Sequence, residues 1–511
     1  MLRSSTFNPG AASGGGRGSA PAATRGADPT ESPNDHAEAD RERAMLSEYR
    51  QRFTDFQTEL HREDYLFRSG RKRDRETARI RADYSDLFKP SAIADLRAKL
   101  EETSQQRETE RRSINLLIAF AVEGNLLARA REISDEIENC ESNARRAGEG
   151  EVAQDLRAER LEMLRDGARE LGYENRLAMR RELRGFDDEK IAGQARKILS
   201  KTESGYVNAL SWLLPRETGV SIDDATPSRL GFLQGFTRFD HFFPRERMLG
   251  VYRELFLALG FDSEKQSNLT IDSEPRPDKQ PQAFCSPIRV PDEIALAVNL
   301  TGGQANYREF LRETGRAQLY AWTSRNIYPE FRVGGDRAVI VAWGLLLENL
   351  PLDERWLMTT FGFAENKEFR HALAVLRLIG QRRAAALLDY EIEFHSGRLT
   401  TAAGPRYAEL MTDAVRVRFD ETARLRSLDD AFYSADFLRA SAFEAQMREY
   451  LKTQFGQRWW ASRKAGETLI DLWNTGQRYT VEELASMIGL GELDFDWLAS
   501  ESLDWVEGRT R

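Results

Sequence analysis

A mainly α-helical protein with one small β region is what the sequence predicts, and three observations carry the prediction. Charged residues make up 31% of the 511 positions and hydrophobic residues 41%. Through most of the chain the apolar residues recur at three and four, as along one face of a helix; Leu116, Leu117, Phe120 and Ala121 form one such face. Proline is scarce except where Pro275, Pro277, Pro281, Pro287 and Pro291 fall close together, which excludes a helix interior there.

The elements follow in order. Residues 1–42 are dominated by Gly, Pro, Ala and Ser and have too little apolar surface to offset their ordering entropy, so a disordered tail is expected. Residues 43–215 read as an N-terminal helical lobe, with Pro90-Ser91 marking a break and a new helix start. The dense Glu and Arg between 101 and 112 read as a solvated helix face with i,i+4 pairs. Residues 216–511 form a second region. It is helical to about 270, has two strands within about 283–300, a Gly302-Gly303 turn, a helix over about 306–325, and helices to the end. The first strand covers 283–288. The second, 294–300, alternates Ile294, Leu296, Val298 and Leu300 on one face. A chain of this length suits two to four compact units and needs no disulfides to support its core.

Composition excludes several classes of function. The net charge of −9 argues against a general nucleic-acid binder, which needs a basic face. No apolar run approaches the roughly 20 residues of a membrane span; the longest, Ala338 to Leu347, is too short. The start of the chain lacks the apolar segment of a signal peptide. The expectation is a cytoplasmic protein with neither nucleic acid nor membrane as a partner. Two cysteines, Cys140 and Cys285, can build neither a disulfide framework nor a zinc finger. None of the five histidines (His36, His61, His241, His371 and His395) stands at ligand spacing from another His or Cys. Cys285 has no base beside it in sequence to activate it. There is no phosphate loop and no strand-linked G-x-G-x-x-G. Trp459-Trp460 reads as a core anchor.

One constellation has chemical meaning. The helix after Gly302-Gly303 contains Arg312-Glu313-Thr314-Gly315-Arg316. In zinc peptidases, two His at i and i+4 on such a helix bind the metal and the Glu beside the first is the general base. Here arginines occupy both ligand positions, and Glu313 remains as the remnant base.

The chain resembles the zinc metallopeptidase family of thimet oligopeptidase and oligoendopeptidase F. The resemblance begins near Met45 and runs almost to the C-terminus. It is strongest from Arg276 to Leu350, through Lys279, residues 283–287, Pro291, Gly302-Gly303, Tyr307, the altered motif, residues 335–339 and residues 346–350. Phe432-Tyr433, residues 437–439, Phe455-Gly456, Trp459-Trp460, Leu472-Trp473 and Gly476-Gln477 continue it in the right order. The resemblance implies two helical lobes around a deep channel, with a small sheet next to the motif helix. It places the third zinc ligand, a Glu in the family, at Val341, 25 positions after Arg316. A slip of one residue would give Ile340 or Ala342, which cannot bind metal either. It also places Tyr433 where the family stabilises the oxyanion, but the preceding segment, 425–431, has no His.

The chemistry of the change is direct. Arginine has no lone pair to donate and stays protonated in proteins, and valine offers no donor atom. A guanidinium about 4 Å from a dication is repelled by roughly 8 kcal/mol at an effective dielectric of 20. Without the ion, a water keeps its pKa near 15.7 rather than about 7, and Glu313 has little to act on. The expectation is a pseudopeptidase with zinc lost and no other cofactor. Glu313 is expected as an ion-pair partner of Arg312 or Arg316. The two arginines read either as a cluster compensated by carboxylates or as an anion pocket for a peptide carboxylate or phosphate. By the resemblance, the strand 294–300, with Ile294, Leu296, Val298, Leu300, Gly302 and Gly303, is an edge strand lining the channel and able to hold an oligopeptide or a protein segment. Two alternatives stand beside this: an active oligopeptidase working through a metal site the sequence does not display, and a non-catalytic partner of an active relative.

Overall fold

The computed structural model describes residues 33–137, 140 and 153–509. The chain divides into two compact units, Met1–Ser47 and Glu48–Arg511, and every residue of the altered motif belongs to the larger one. The architecture is helical throughout with a single three-stranded sheet among the described residues, as expected.

The expected tail lies outside the described residues as far as position 32. From Pro33 the chain is already helix α1 (Pro33–Arg68), so the boundary at 42 is too late. Pro33 is preorganised for the first helical position, and no glycine or proline interrupts the sequence from Asn34 to Arg68. The expected division at 215/216 is also corrected. Helix α2 (Arg176–Arg184) is followed by α3 (Asp188–Thr218), which runs through that point. The Asp187 side chain caps α3 by accepting from the Lys190 N–H at 3.0 Å, and Gly219 ends it with φ +72°. Pro215 removes one backbone bond in the last turn. Burial of Tyr206, Leu210, Leu213 and Leu214 just before it carries the helix on.

The sheet is formed by β1 (Leu269–Asp272), β2 (Phe284–Arg289) and β3 (Glu293–Ala297) in the order β1-β3-β2. β1 runs parallel to β3, and β2 antiparallel to it. β1 was not expected; it straddles the end of the region read as helical to about 270. It is four residues long, too short for a period to show, and its pairing with β3 is non-local. β3 ends at Ala297, so Val298 and Leu300 lie beyond the strand. The one-face alternation expected for it gives way to burial of Ile294, Ala295, Leu296 and Ala297 alike, because a central strand is covered on both faces. Lys279 fastens the end of the sheet. Its buried ammonium donates to the carbonyls of Asp272 (2.8 Å), Val298 (2.9 Å) and Glu274 (3.0 Å) and faces the Asp272 carboxylate.

Helix α4 (Gly303–Trp322) carries the motif and begins at the Gly302-Gly303 turn, where both glycines have positive φ. It packs along β2 and β3 and most closely against α5 (Arg337–Glu348). The crossing is tight because it is made by glycines. A Cβ on Gly315 would overlap the Trp343 carbonyl, and one on Gly344 would lie 3.1 Å from Arg312 Cγ and 3.4 Å from Arg316 Cγ. Helices α6 (Lys367–His395) and α7 (Tyr433–Phe455) pack with α3 and α5 around a continuous core. Trp459 and Trp460 are both buried in it, as expected. Among the described residues, no single helix is long and apolar enough to cross a membrane.

Candidate functional site

The α4–α5 crossing brings the positions singled out in the sequence together. Arg312 and Arg316 lie one turn apart on α4, and their side chains border Gly344 of α5. Val341, three residues before Gly344, and Glu348, four residues after it, belong to the same stripe of α5. Both are buried. Val341 therefore lies on the side of α5 that Gly344 turns to the two arginines.

Glu313 is 4% exposed and surrounded by donors. Arg316 Nη1 donates to its Oε1 at 3.0 Å and to Oε2 at 3.4 Å, Arg312 Nε donates to Oε1 at 3.3 Å, and the Cys285 N–H of β2 donates to Oε2 at 3.2 Å. Both oxygens are thus engaged in structure. Glu348 proves to be the second compensating carboxylate. Arg308 Nη2 donates to it at 3.0 Å and Arg312 Nη1 at 3.4 Å. Its signal was the helical spacing from Val341 and Gly344, which becomes meaningful only once the face of α5 is known. Burial works against the charge of Arg312, but Glu348 and Glu313 more than reverse this and hold the guanidinium above its ordinary range. Burial, reinforced by the Glu313 charge, pushes the Cys285 thiol well above its ordinary range, so Cys285 is a poor thiolate nucleophile.

The substrate-strand assignment is corrected. β3 is the middle strand, paired on both sides, so Ile294 and Leu296 cannot offer backbone groups to a peptide, and Val298 and Leu300 are outside the strand. The edge that faces α4 is β2, and it too is occupied. The Cys285 N–H is bound to Glu313, and Pro287 has no N–H. Gly302 and Gly303 form the turn into α4 against residues 240–245, where a Cβ on either would meet Phe243, Arg245 or Asp240.

Tyr433 begins α7 and is 37% exposed. Its ring lies 5.0 Å from the Arg337 guanidinium at the start of α5, and its N–H donates to Asp429 at 2.9 Å. It therefore borders the N-terminal end of α5 and makes no hydrogen bond to the Glu313 cluster. The described histidines are dispersed. His61 lies under β2, His371 meets Trp212 edge-on at 4.8 Å, His241 stacks beside Phe242, and His395 is buried beside Phe432. Among the described residues, no three His, Cys, Asp or Glu side chains converge as a metal site. Arg312, Arg316 and Val341, the three positions that the sequence resemblance pointed to, do not suit zinc on chemical grounds. Two are permanent cations and the third is a hydrocarbon.

No family model matches the chain, and no curated protein is significantly similar to it in sequence. Solved structures do match. Metallocarboxypeptidase 1 of Trypanosoma cruzi superposes with a TM-score of 0.62 at 14% identity, covering 92% of this chain and 99% of that one. A Pyrococcus furiosus carboxypeptidase gives 0.61 at 14% identity, covering 92% and 98%. A Bacillus anthracis protein assigned as an oligoendopeptidase F gives 0.59 at 12% identity, covering 84% and 85%. The chain has the helical fold shared by these peptidases, over nearly its whole length.

Proposed function

We propose that this protein is a pseudopeptidase: a member of the thimet oligopeptidase and oligoendopeptidase F group that has lost zinc and hydrolysis and retains a recess for binding a peptide or a protein segment. One observation carries the reading. At the crossing of α4 and α5, where a peptidase of this fold would hold its metal, Arg312, Arg316 and Val341 stand at the ligand positions and Glu313 has both oxygens tied by Arg312, Arg316 and the Cys285 N–H. A carboxylate so engaged is not free to take a proton from water. The fold neighbours support the peptidase ancestry of the scaffold, and the donor chemistry supports the loss of the metal.

The test is elemental analysis of the purified full chain together with hydrolysis of a quenched fluorescent peptide, with and without chelator. The expected result is no stoichiometric zinc and no chelator-sensitive cleavage. One zinc per chain, with cleavage that a chelator abolishes, would overturn the proposal and favour the active-enzyme alternative.

A further inference from the structure

The α4–α5 crossing is better supplied with hydrogen-bond donors than its own carboxylates can use. Charge there is close to balance, with Arg308, Arg312 and Arg316 facing Glu309, Glu313 and Glu348. Glu309 is drawn back toward β2 by the Ala283 backbone. Donors remain in excess. Arg316 bonds through Nη1 alone, to a single carboxylate that it shares with Arg312. Its Nε is buried with no partner, and its Nη2 makes no hydrogen bond within the protein. One turn further along the same face of α4, Tyr320 is 7% exposed, and its hydroxyl makes no hydrogen bond among the described residues. The site is nevertheless reachable, since the side chains of Arg312 and Arg316 are 31% and 26% exposed. A buried donor without an acceptor costs about 1–3 kcal/mol, so a ligand that supplies acceptors there is favoured by relief of that cost.

We infer that Arg312, Arg316 and Tyr320 form a binding site for the carboxylate of a peptide C-terminus. This rests on the binding role proposed above and names its ligand class. A carboxylate is planar, presents two acceptor oxygens to the guanidinium fork and carries the right charge. The state of the sheet selects the end of a chain over its middle. Recognition of an internal extended segment needs a strand edge with open N–H and C=O groups. β3 has none to offer because it is central. β2 has given its Cys285 N–H to Glu313 and has no N–H at Pro287. A terminal carboxylate requires no such ladder. A phosphate could use the same donors, so the two sources must be separated by experiment.

The experiment uses the full chain and a pool of randomised octapeptides labelled with fluorescein at the N-terminus. One pool carries a free C-terminal carboxylate and the other a C-terminal amide. Fluorescence anisotropy is read, with acetate and inorganic phosphate as competitors. The free-acid pool is expected to bind at least tenfold more tightly than the amide pool. Arg316→Gln is expected to bring the two pools level while the circular dichroism of the protein is unchanged. If the variant does not fold, the comparison of acid with amide on the unaltered protein still decides. Equal binding of both pools would overturn the carboxylate site and leave the wider binding role standing. Binding of neither pool would overturn both. Competition by phosphate at lower concentration than acetate would overturn the assignment to a peptide terminus in favour of a phosphate site.

Discussion

Two arginine–carboxylate clusters sit along the one short helix α5, and they are built on opposite plans. At its N-terminal end Arg439 is fully buried and uses every nitrogen. Nε and Nη2 hold Glu482 at 2.7 and 2.6 Å, Nη1 and Nη2 hold Asp336 at 3.0 and 2.7 Å, and Nη1 also reaches Asp436 at 3.4 Å. Asp436 is shared in turn with Arg180 and Arg337, and Asp336 also accepts from the N–H groups of Ala338 and Val481. Two to three turns along, at the altered motif, Arg316 is a quarter exposed and bonds through one nitrogen. The residue types are the same. The first cluster is closed and ties α2, α5 and α7 together, whereas the second is half open and leaves donors unused. Saturation is what marks a structural cluster, and unused donors on an accessible cation mark a place where something else can bind.

The largest expected effect comes from breaking the closed cluster. Arg439→Met leaves the buried Asp336 carboxylate without its cation and is expected to lower stability by about 3–5 kcal/mol in a denaturant titration. A loss below about 1 kcal/mol would mean that the closed cluster does not hold the helices together.

A smaller effect is expected from pH, at the margin of the same region. Burial, and then the nearby Arg176 cation, depress the His395 pKa to about 3. The native state therefore keeps the imidazole neutral, while the unfolded chain takes up a proton near pH 6.5. Below about pH 6.5 the unfolded state binds more protons. This contribution to stability is complete above that pH and is lost progressively as pH falls toward about 3. His395→Gln is expected to flatten that part of a stability–pH profile, read from thermal melts. A profile with the same slope in both proteins would show that His395 is not the group responsible.

The smallest effect is expected at the open cluster. Arg316→Gln is expected to change stability by less than about 1 kcal/mol in the same denaturant titration, since the pair is partly solvated and Glu313 keeps Arg312 and the Cys285 N–H. A loss comparable to that of Arg439→Met would erase the contrast and make Arg316 a structural residue.

Much of this was legible before the structure. The helical class, strand β2, the motif helix and the pairing of Glu313 with its neighbouring arginines all follow from local spacing. Local spacing is how i,i+3 and i,i+4 side chains meet on a helix, so the sequence carries it directly. The position of Val341 could be counted from Arg316. What could not be read were the events between distant segments. Burial carries α3 past Pro215 to Thr218. β1 is too short to show a pattern. Glu348 gains its role only because α5 turns that face to Arg308 and Arg312, which the glycines at 315 and 344 permit.

Residue type and short-range spacing by themselves determined that this chain is helical, that the helix after Gly302-Gly303 carries arginines at 312 and 316, and that those cations would meet Glu313. Tertiary structure alone decided that β3 lies at the centre of the sheet, that the Cys285 N–H at the edge of β2 is taken by Glu313, and that Arg316 keeps unused donors at the crossing. The physical reason is the range of the interactions. Helical contacts span three or four residues, whereas strand order and the satisfaction of buried donors depend on which distant segments the packing brings together.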